Sequence, residues 1–279
     1  MTLGDAYCAL IRSKPIGAIG TDDILAVLEP VWQTVPETAR RVRMRLEKVL
    51  DAARVRGLRS GDNPALWKGH LDHILPKHGK AMRRHHAALG WTEVPEFMRI
   101  LKTREGMAAI AFRFLILTAA RTSETLNARW GEIDFDKATW TIPAERMKSR
   151  REHRVPLAKA SLNLLKQAMG KHKDFVFPGP SDAGPLSNMS LLMVLRRLER
   201  HEVTAHGMRS AFRDWAAECT NFPSEVCEMA LAHVVENATE AAYRRGDLFD
   251  KRRKLMEAWA AFCEQDGNTT LPLKRKPSL

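Results

Sequence analysis

The sequence predicts a mainly helical protein with one small three-stranded antiparallel β-sheet. Apolar residues recur at helical spacing over much of the chain, as at Val42, Leu46 and Val49. Between residues 132 and 157 the pattern changes to alternation, with EIDFD, TWTIPAE and HRVPL separated by the turn-like KAT and RMKSRRE. The 279 residues contain no internal repeat or heptad array and are enough for two domains.

The first helices are expected over residues 21–57, and the clearest runs from Glu37 to Arg56. Thr34 and Glu37 have the spacing of a capping box, and Gly57 can end the helix in the left-handed conformation. The apolar stripe comprises Ala39, Val42, Leu46, Val49, Leu50 and Ala53, and the basic arc comprises Arg40, Arg41, Arg43, Arg45, Lys48 and Arg54. This basic arc fits a phosphate backbone, and a solvated helix face is the alternative.

A linker is expected near residues 77–90, between a helical first domain over residues 1–88 and a second domain over residues 89–279. Five of the ten histidines lie in or near this region: His70, His73, His78, His85 and His86. No cysteine or close carboxylate trio completes a tetrahedral set, so a basic linker that touches DNA is preferred to a zinc site. No metal and no cofactor are expected.

The second block is expected to begin with an apolar helix from Met107 that ends at Arg121, where the helix dipole favours a cation. A short helix from Ser123 and the three strands follow. Further helices are predicted at residues 158–168, 188–200, 205–219, 224–233, 236–245 and 250–264. The terminal LKRKPSL is a basic segment that is expected to be disordered.

The balance of charge favours a polyanionic partner. Forty-five Lys and Arg against 33 Asp and Glu give a net charge of +12, which suits nucleic acid and also anionic membranes or ribosomal surfaces. The apolar run from Met107 to Ala120 is shorter than a membrane span, and no signal peptide is evident. The four cysteines form no CxxC pair. A cytoplasmic protein with reduced thiols is therefore expected.

A dispersed set of residues has the side chains that metal-free phosphodiester cleavage requires: Arg121, Lys148, His206, Arg209, His233 and Tyr243. The negative charge of the transition state needs fixed cationic donors, for which the planar fork of arginine is well suited. An attacking phenol must lose its proton, and the leaving oxygen must gain one. Histidine suits the first task at neutral pH, and a lysine on a hairpin suits the second.

Four of these six residues also have an ordinary structural interpretation. Arg121 fits a salt bridge with Glu124, and Lys148 fits an exposed turn. His233 fits a hydrogen-bonded core histidine, and Tyr243 fits a helix residue whose ring packs inward. His206 and Arg209 are three residues apart and therefore share one helix face. Their order along the chain, rather than any one of them, favours cleavage through a phosphotyrosine.

Read in that order, the motifs resemble the catalytic domain of tyrosine recombinases, and in particular the integrases of prophages and integrative elements. The resemblance covers residues 90–265 and rests on LTAARTSETLNARWGEIDFD, Lys148 before REHRVPL, HGMRSAFRDWA, LAH and AAYRRGDLFDKRR. PETARRVRMRLEKVLDAARVRG, NPALWKGHLDHILPK and HHAAL resemble the core-site DNA-binding domain and interdomain linker of that family.

The resemblance implies a C-shaped clamp in which a core-site DNA-binding domain and a catalytic domain close around duplex DNA. Arg121 and Arg209 would hold the scissile phosphate, His233 would donate a further hydrogen bond, and Glu124 would support the site. Lys148 would protonate the leaving 5′-oxygen, His206 would assist proton transfer, and Tyr243 would form a 3′-phosphotyrosine. The partners implied are an attachment site in double-stranded DNA, three further copies in a tetramer, and a directionality factor.

Two departures from the family pattern bear on function. The family usually has glycine before the last histidine, where this chain has Ala232. Related integrases begin with an arm-site DNA-binding domain, which this chain is expected to lack. One alternative is therefore a remnant that binds DNA without completing recombination. A relaxing topoisomerase would share the same chemistry, whereas a metal-dependent nuclease would use acidic pairs such as Asp134 and Asp136.

Overall fold

The computed structural model describes residues 4–77, 88–180, 184–233 and 246–265. The chain divides into two compact units, residues 1–84 and 85–279, and each has its own hydrophobic core. Most of the linker predicted at residues 77–90, the helix predicted at 236–245 and the basic terminal segment lie outside the described residues.

The described part of the first unit contains three α-helices. They are α1 (Asp5–Arg12), α2 (Thr21–Trp32) and α3 (Pro36–Val55), and they are followed by a 3₁₀ turn at Leu71–His73. Their apolar faces form a core around Ile24, Leu28, Leu50 and Leu71. The ring of Trp32 stacks on Trp67 with centroids 5.4 Å apart, and its indole N–H donates to the carbonyl of Pro76 at 2.9 Å.

Helix α3 confirms the predicted helix to within one residue at each end, but its expected capping box is wrong. Val35 precedes the helix without any side-chain cap, and the Thr34 hydroxyl donates back to the Pro30 carbonyl at 3.3 Å. At the other end Gly57 has φ +70°, and the Leu58 N–H donates to the Ala53 carbonyl at 2.9 Å. The left-handed glycine terminus is therefore confirmed.

The two faces of α3 differ from the prediction at two positions. Arg43 is buried. Its Nη1 donates to Glu47 Oε2 at 2.6 Å and to the Ala65 carbonyl at 2.8 Å, and these bonds compensate for the loss of hydration. Val49, expected in the core, is 44% exposed. The exposed basic face therefore consists of Arg40, Arg41, Arg45, Lys48 and Arg54.

The second unit surrounds a three-stranded antiparallel sheet with helices. The helices are α4 (Val94–Lys102), α5 (Met107–Thr118), α6 (Thr122–Leu126), α7 (Lys159–Ala168), α8 (Ser190–Arg197), α9 (Gly207–Cys219), α10 (Ser224–Ala230) and α11 (Phe249–Cys263). The strands are β1 (Ile133–Asp134), β2 (Thr139–Ile142) and β3 (His153–Pro156), in the order β1-β2-β3. Trp140 pairs with Ile133 on one side and with Val155 on the other. The predicted fold class is confirmed.

Helix α5 is the centre of this unit. Eight of its residues are buried, and it packs against α4, α7, α8 and α11. The indole N–H of Trp259 donates to the Ile116 carbonyl at 2.8 Å, and the Trp259 ring meets Phe212 edge-on at 5.4 Å. Among the described residues, no helix is both long enough and apolar enough to cross a membrane.

Candidate active site

Arg121 lies at the start of a helix rather than at the end of one, which corrects the prediction. Helix α5 ends at Thr118 because Ala119 adopts the left-handed conformation with φ +49° and reverses the chain. Arg121 then serves as the N-cap residue of α6. A cation at this end is disfavoured by the helix dipole, so it requires a compensating negative charge.

Glu124 supplies that charge. Its Oε1 accepts from Arg121 Nη1 at 2.7 Å, and its Oε2 accepts from the Arg121 backbone N–H at 2.8 Å. The carboxylate is only 3% exposed. The second terminal nitrogen of Arg121 donates to the Ala232 carbonyl at 3.2 Å, which ties α6 to the turn after α10. Arg121 is thus fixed in position while its guanidinium remains partly accessible.

Arg209 lies in the first turn of α9 and is almost completely buried. Its Nη1 donates to the Ala119 carbonyl, and its Nη2 donates to the Leu231 carbonyl at 2.6 Å. Burial, followed by the neighbouring positive charge of Arg121, lowers the pKa of Arg209 to about 10. The guanidinium therefore stays protonated at neutral pH.

His233 follows α10 and joins the same cluster. Its Nε2 lies 3.2 Å from Arg209 Nη2, and its Nδ1 lies 2.6 Å from Glu228 Oε2. The preceding residue, Ala232, adopts the left-handed conformation with φ +50°. The structure thus brings Arg121, Arg209 and His233 together through two chain reversals, at Ala119 and at Ala232.

Lys148 and His206 are both exposed. Lys148 lies between β2 and β3, and the 3₁₀ turn before it is held by Arg146, which pairs with Glu132 and donates to the Glu124 carbonyl at 2.6 Å. His206 is the N-cap residue of α9, three residues before Arg209. Tyr243 lies outside the described residues.

His153 on β3 is a neighbour of the cluster that the sequence interpretation missed. Together with Thr118, Glu124, Arg209 and Ala232, it surrounds a narrow gap that is too small for a water molecule. Burial, followed by the positive charge of Arg252, lowers its pKa to about 4, so its imidazole is neutral at physiological pH. Strand alternation could have indicated this position, because His153 shares a face with the buried Val155.

An ion-pair network holds the chain just after residue 245. Asp247 Oδ1 and Oδ2 accept from Arg154 on β3 at 2.9–3.0 Å, and Oδ2 also accepts from Arg252 Nη2 on α11 at 2.8 Å. Arg252 is 1% exposed, and it also donates to the carbonyls of Asp247 and Arg154. Although burial raises the pKa of Asp247, the two arginines more than offset that effect and hold the pKa below its usual value. No short-range sequence signal marks this network.

Asp134 and His70, two of the residues considered for metals, have other contacts. Asp134 accepts from the Lys137 backbone N–H at 2.8 Å and pairs with its ammonium at 3.1 Å, as a turn residue does. His70 bonds the Thr21 hydroxyl at 2.9 Å, while His78, His85 and His86 fall outside the described residues. Within the described ranges, no three His, Cys, Asp or Glu side chains are grouped so as to hold a metal ion.

Comparison with known proteins agrees with this architecture. The phage integrase family model matches residues 89–247, and the phage integrase central domain model matches residues 1–70. The chain belongs to the phage integrase family. Prophage integrase IntZ of Escherichia coli K12 is 34% identical over 262 residues, which cover 92% of this chain and 62% of IntZ. The integrase of Enterobacteria phage P4 is 31% identical over 286 residues, which cover 94% and 63%.

Solved structures show the same fold. A lambda integrase dimer bound to a COC′ core site matches with a TM-score of 0.60 at 16% identity, covering 86% of this chain and 84% of that one. The Tn1549 transposon integrase in complex with circular intermediate DNA matches with a TM-score of 0.54 at 16% identity, covering 88% and 87%. This phage integrase family member spans slightly under two thirds of the length of IntZ and of the P4 integrase.

Proposed function

We propose that this chain is a site-specific tyrosine recombinase that cleaves and rejoins double-stranded DNA to integrate or excise a prophage or mobile element. One observation carries the proposal. In a member of the phage integrase family, Arg209 is hydrogen-bonded to the imidazole of His233, and the guanidinium groups of Arg209 and Arg121 donate to the consecutive carbonyls of Leu231 and Ala232.

This cluster suits a phosphate group. Two guanidinium groups provide planar donors for the nonbridging oxygens, and their positions are set before substrate arrives, which is the condition for efficient electrostatic stabilisation of a transition state. Arg209 has little freedom to reorganise, because two backbone carbonyls already hold it. Its burial removes competing water and strengthens its interaction with a charged oxygen.

The proposed reaction forms one bond and breaks one. The phenol oxygen of Tyr243 bonds to phosphorus as the bond between phosphorus and the 5′-oxygen breaks, which leaves a 3′-phosphotyrosine and a 5′-hydroxyl. His206 assists removal of the phenol proton, and Lys148 donates a proton to the 5′-oxygen. Attack by a 5′-hydroxyl of another strand reverses these steps, so the rejoining needs neither ATP nor a metal ion.

Further parts of the proposal concern organisation. Residues 1–88 would bind the core site, with the exposed basic face of α3 along the phosphate backbone, residues 77–90 would link the domains, and residues 89–279 would carry the chemistry. A lambda integrase tetramer bound to a Holliday junction has the same fold, with a TM-score of 0.59. We propose a tetramer on DNA as the active assembly, a directionality factor as a further partner, and the cytoplasm as the location.

The test is covalent capture. Purified protein is incubated with nicked suicide duplexes tiled across the DNA that flanks its own gene, in the presence of EDTA, and products are separated in SDS. We expect an SDS-resistant adduct that disappears in Tyr243→Phe, while both proteins bind the same duplexes. Tyr7→Phe is the matched control, since Tyr7 is the only other tyrosine of the chain.

The outcomes separate the candidate activities. An adduct that persists in Tyr243→Phe contradicts the proposal, and so does cleavage that requires a divalent metal. Salt-dependent binding without any adduct on the whole tiled set identifies a DNA-binding protein instead of a recombinase. Relaxation of unrelated supercoiled plasmid, without sequence preference, identifies a topoisomerase.

A further inference from the structure

Glu228 forms a bridge between His233 and a second arginine. One carboxylate oxygen, Oε2, lies 2.6 Å from His233 Nδ1, and the other, Oε1, accepts from Arg213 Nε at 2.6 Å. Arg213 also donates to the Ser224 hydroxyl at 3.0 Å, at the start of the helix that carries Glu228. Both carboxylate oxygens are therefore engaged, and the side chain of Glu228 is fixed from two directions.

The contacts of His233 determine its tautomer. Arg209 Nη2 can only donate, so His233 Nε2, at 3.2 Å, must accept with its lone pair. The proton of a neutral imidazole then lies on Nδ1, where it is donated to Glu228 Oε2. Glu228 thereby fixes both the plane of the ring and the nitrogen that faces Arg209.

Glu228 remains ionised under ordinary conditions. Although its burial raises the pKa, the hydrogen bonds from His233 and Arg213 more than offset this effect, and the pKa lies below its usual value. The Glu228 carboxylate therefore brings a negative charge to one ring nitrogen of His233, while the other ring nitrogen contacts the positive guanidinium of Arg209.

We infer that Glu228, itself held by Arg213, is a positioning residue that acts through His233 in DNA strand cleavage. The expected effect on strand cleavage rests on the proposed function, whereas the expected tautomer of His233 does not. Loss of one charge-assisted hydrogen bond corresponds to a roughly 10- to 100-fold loss of rate. We therefore expect Glu228→Gln to slow adduct formation by that factor while DNA affinity stays within about twofold of the original protein.

The kinetic test is a double-mutant cycle on the suicide duplex. Glu228→Gln, His233→Ala and the double variant are compared in single-turnover adduct formation, with Glu96→Gln as the matched control. Glu96 pairs with Arg99 on the surface of α4, outside the cluster. If Glu228 acts through His233, Glu228→Gln costs less than about twofold once His233 is absent. The inference would be wrong if the rate losses of the two single variants multiplied in the double variant. It would also be wrong if the Glu228→Gln protein formed adduct at the original rate.

The structural test needs neither DNA nor activity. Nitrogen NMR of the histidine rings in the full chain should place the His233 proton on Nδ1, and Glu228→Gln should change that signal while Glu96→Gln does not. A His233 ring protonated only on Nε2 would overturn the inference without any variant. If the original protein forms no Tyr243-dependent adduct, the proposed function fails, yet the tautomer still decides whether Glu228 positions His233.

Discussion

The Ala232 carbonyl accepts a hydrogen bond from Arg121 Nη2 at 3.2 Å, although Ala232 itself occupies the left-handed region with φ +50°. A left-handed residue with a Cβ atom costs roughly 1–2 kcal/mol relative to the right-handed conformation. This cost gives a physical reason for glycine at this position in the family pattern. The chain tolerates alanine there because the reversal places the carbonyl on Arg121 and the next side chain on Arg209.

Replacing Ala232 with glycine should therefore stabilise the second unit. Relief of the left-handed strain outweighs the added freedom of the unfolded chain, and we expect the free energy of unfolding to rise by roughly 0.5–1 kcal/mol. Urea unfolding measures the change. Ala216→Gly, in the buried interior of α9, is the control and should lower stability by at least about 1 kcal/mol. Equal losses in both variants would show that Ala232 carries no such strain.

Glu124→Gln should destabilise the site without abolishing the fold. The amide retains a hydrogen-bond acceptor but loses the charge that offsets Arg121 at the N-terminus of α6, so we expect a loss of about 1–3 kcal/mol in urea unfolding. Glu145→Gln, an exposed position of the same unit, is the control and should change stability by less than about 0.5 kcal/mol. A neutral result at Glu124 would mean that the Arg121 guanidinium does not require a buried anion.

His153 predicts a specific dependence of stability on pH. Its pKa of about 4 in the folded protein lies below the unfolded value of about 6.5, so the unfolded chain binds the proton first and stability falls as pH drops below about 6.5. Between pH 7 and pH 5 this group contributes a loss of about 2 kcal/mol. His153→Gln should remove that part of the pH dependence in urea unfolding. The control His201→Gln, at an exposed position, should retain the original pH dependence. A His153→Gln protein whose unfolding free energy depends on pH as in the original would contradict the prediction.

Asp247→Asn should weaken both folding and cleavage. The change removes the charge partner of the buried Arg252 and of Arg154, so we expect a loss of roughly 2 kcal/mol in unfolding free energy. Because Asp247 anchors the chain only four residues after Tyr243, we also expect slower adduct formation. The rate is measured at temperatures where the variant is folded. The exposed Lys251→Ala is the control. An Asp247→Asn protein that forms adduct at the original rate would show that this network serves stability alone.

Periodicity and composition were sufficient for the parts of the fold that depend on local pattern. Helix α3 with its glycine terminus, the buried helix α5 and the three strands all follow from spacing that a single sequence displays. The predicted helix from Met107 ran three residues too far, because nothing in LTAAR marks the left-handed turn at Ala119. That one turn moves Arg121 from a helix end that favours cations to a helix start that does not.

Arg121, Arg209, His233 and the supporting Glu124 were named from the sequence, but the other supports of the cluster were not. Arginine and histidine are residue types that suit phosphate chemistry, and their order along the chain resembles the family pattern. Arg43 was assigned to a basic face because helical spacing cannot reveal a carbonyl that comes from residue 65. Glu228 precedes His233 by five residues across a helix end, and Asp247 meets Arg154 from 93 residues away. Such partners can be identified only from the three-dimensional structure.

Ala119, Leu231 and Ala232 contribute only main-chain oxygens to the two guanidinium groups. The alignment of the two guanidinium groups therefore depends on the path of the chain at these positions, while the side chains of Ala119 and Leu231 pack in the core. An engineer who transplanted the two arginines and the histidine into another scaffold would obtain the right functional groups without their alignment. The transferable unit is the pair of reversals, and a designed DNA-cleaving site of this kind should be built on backbone geometry first and on residue identity second.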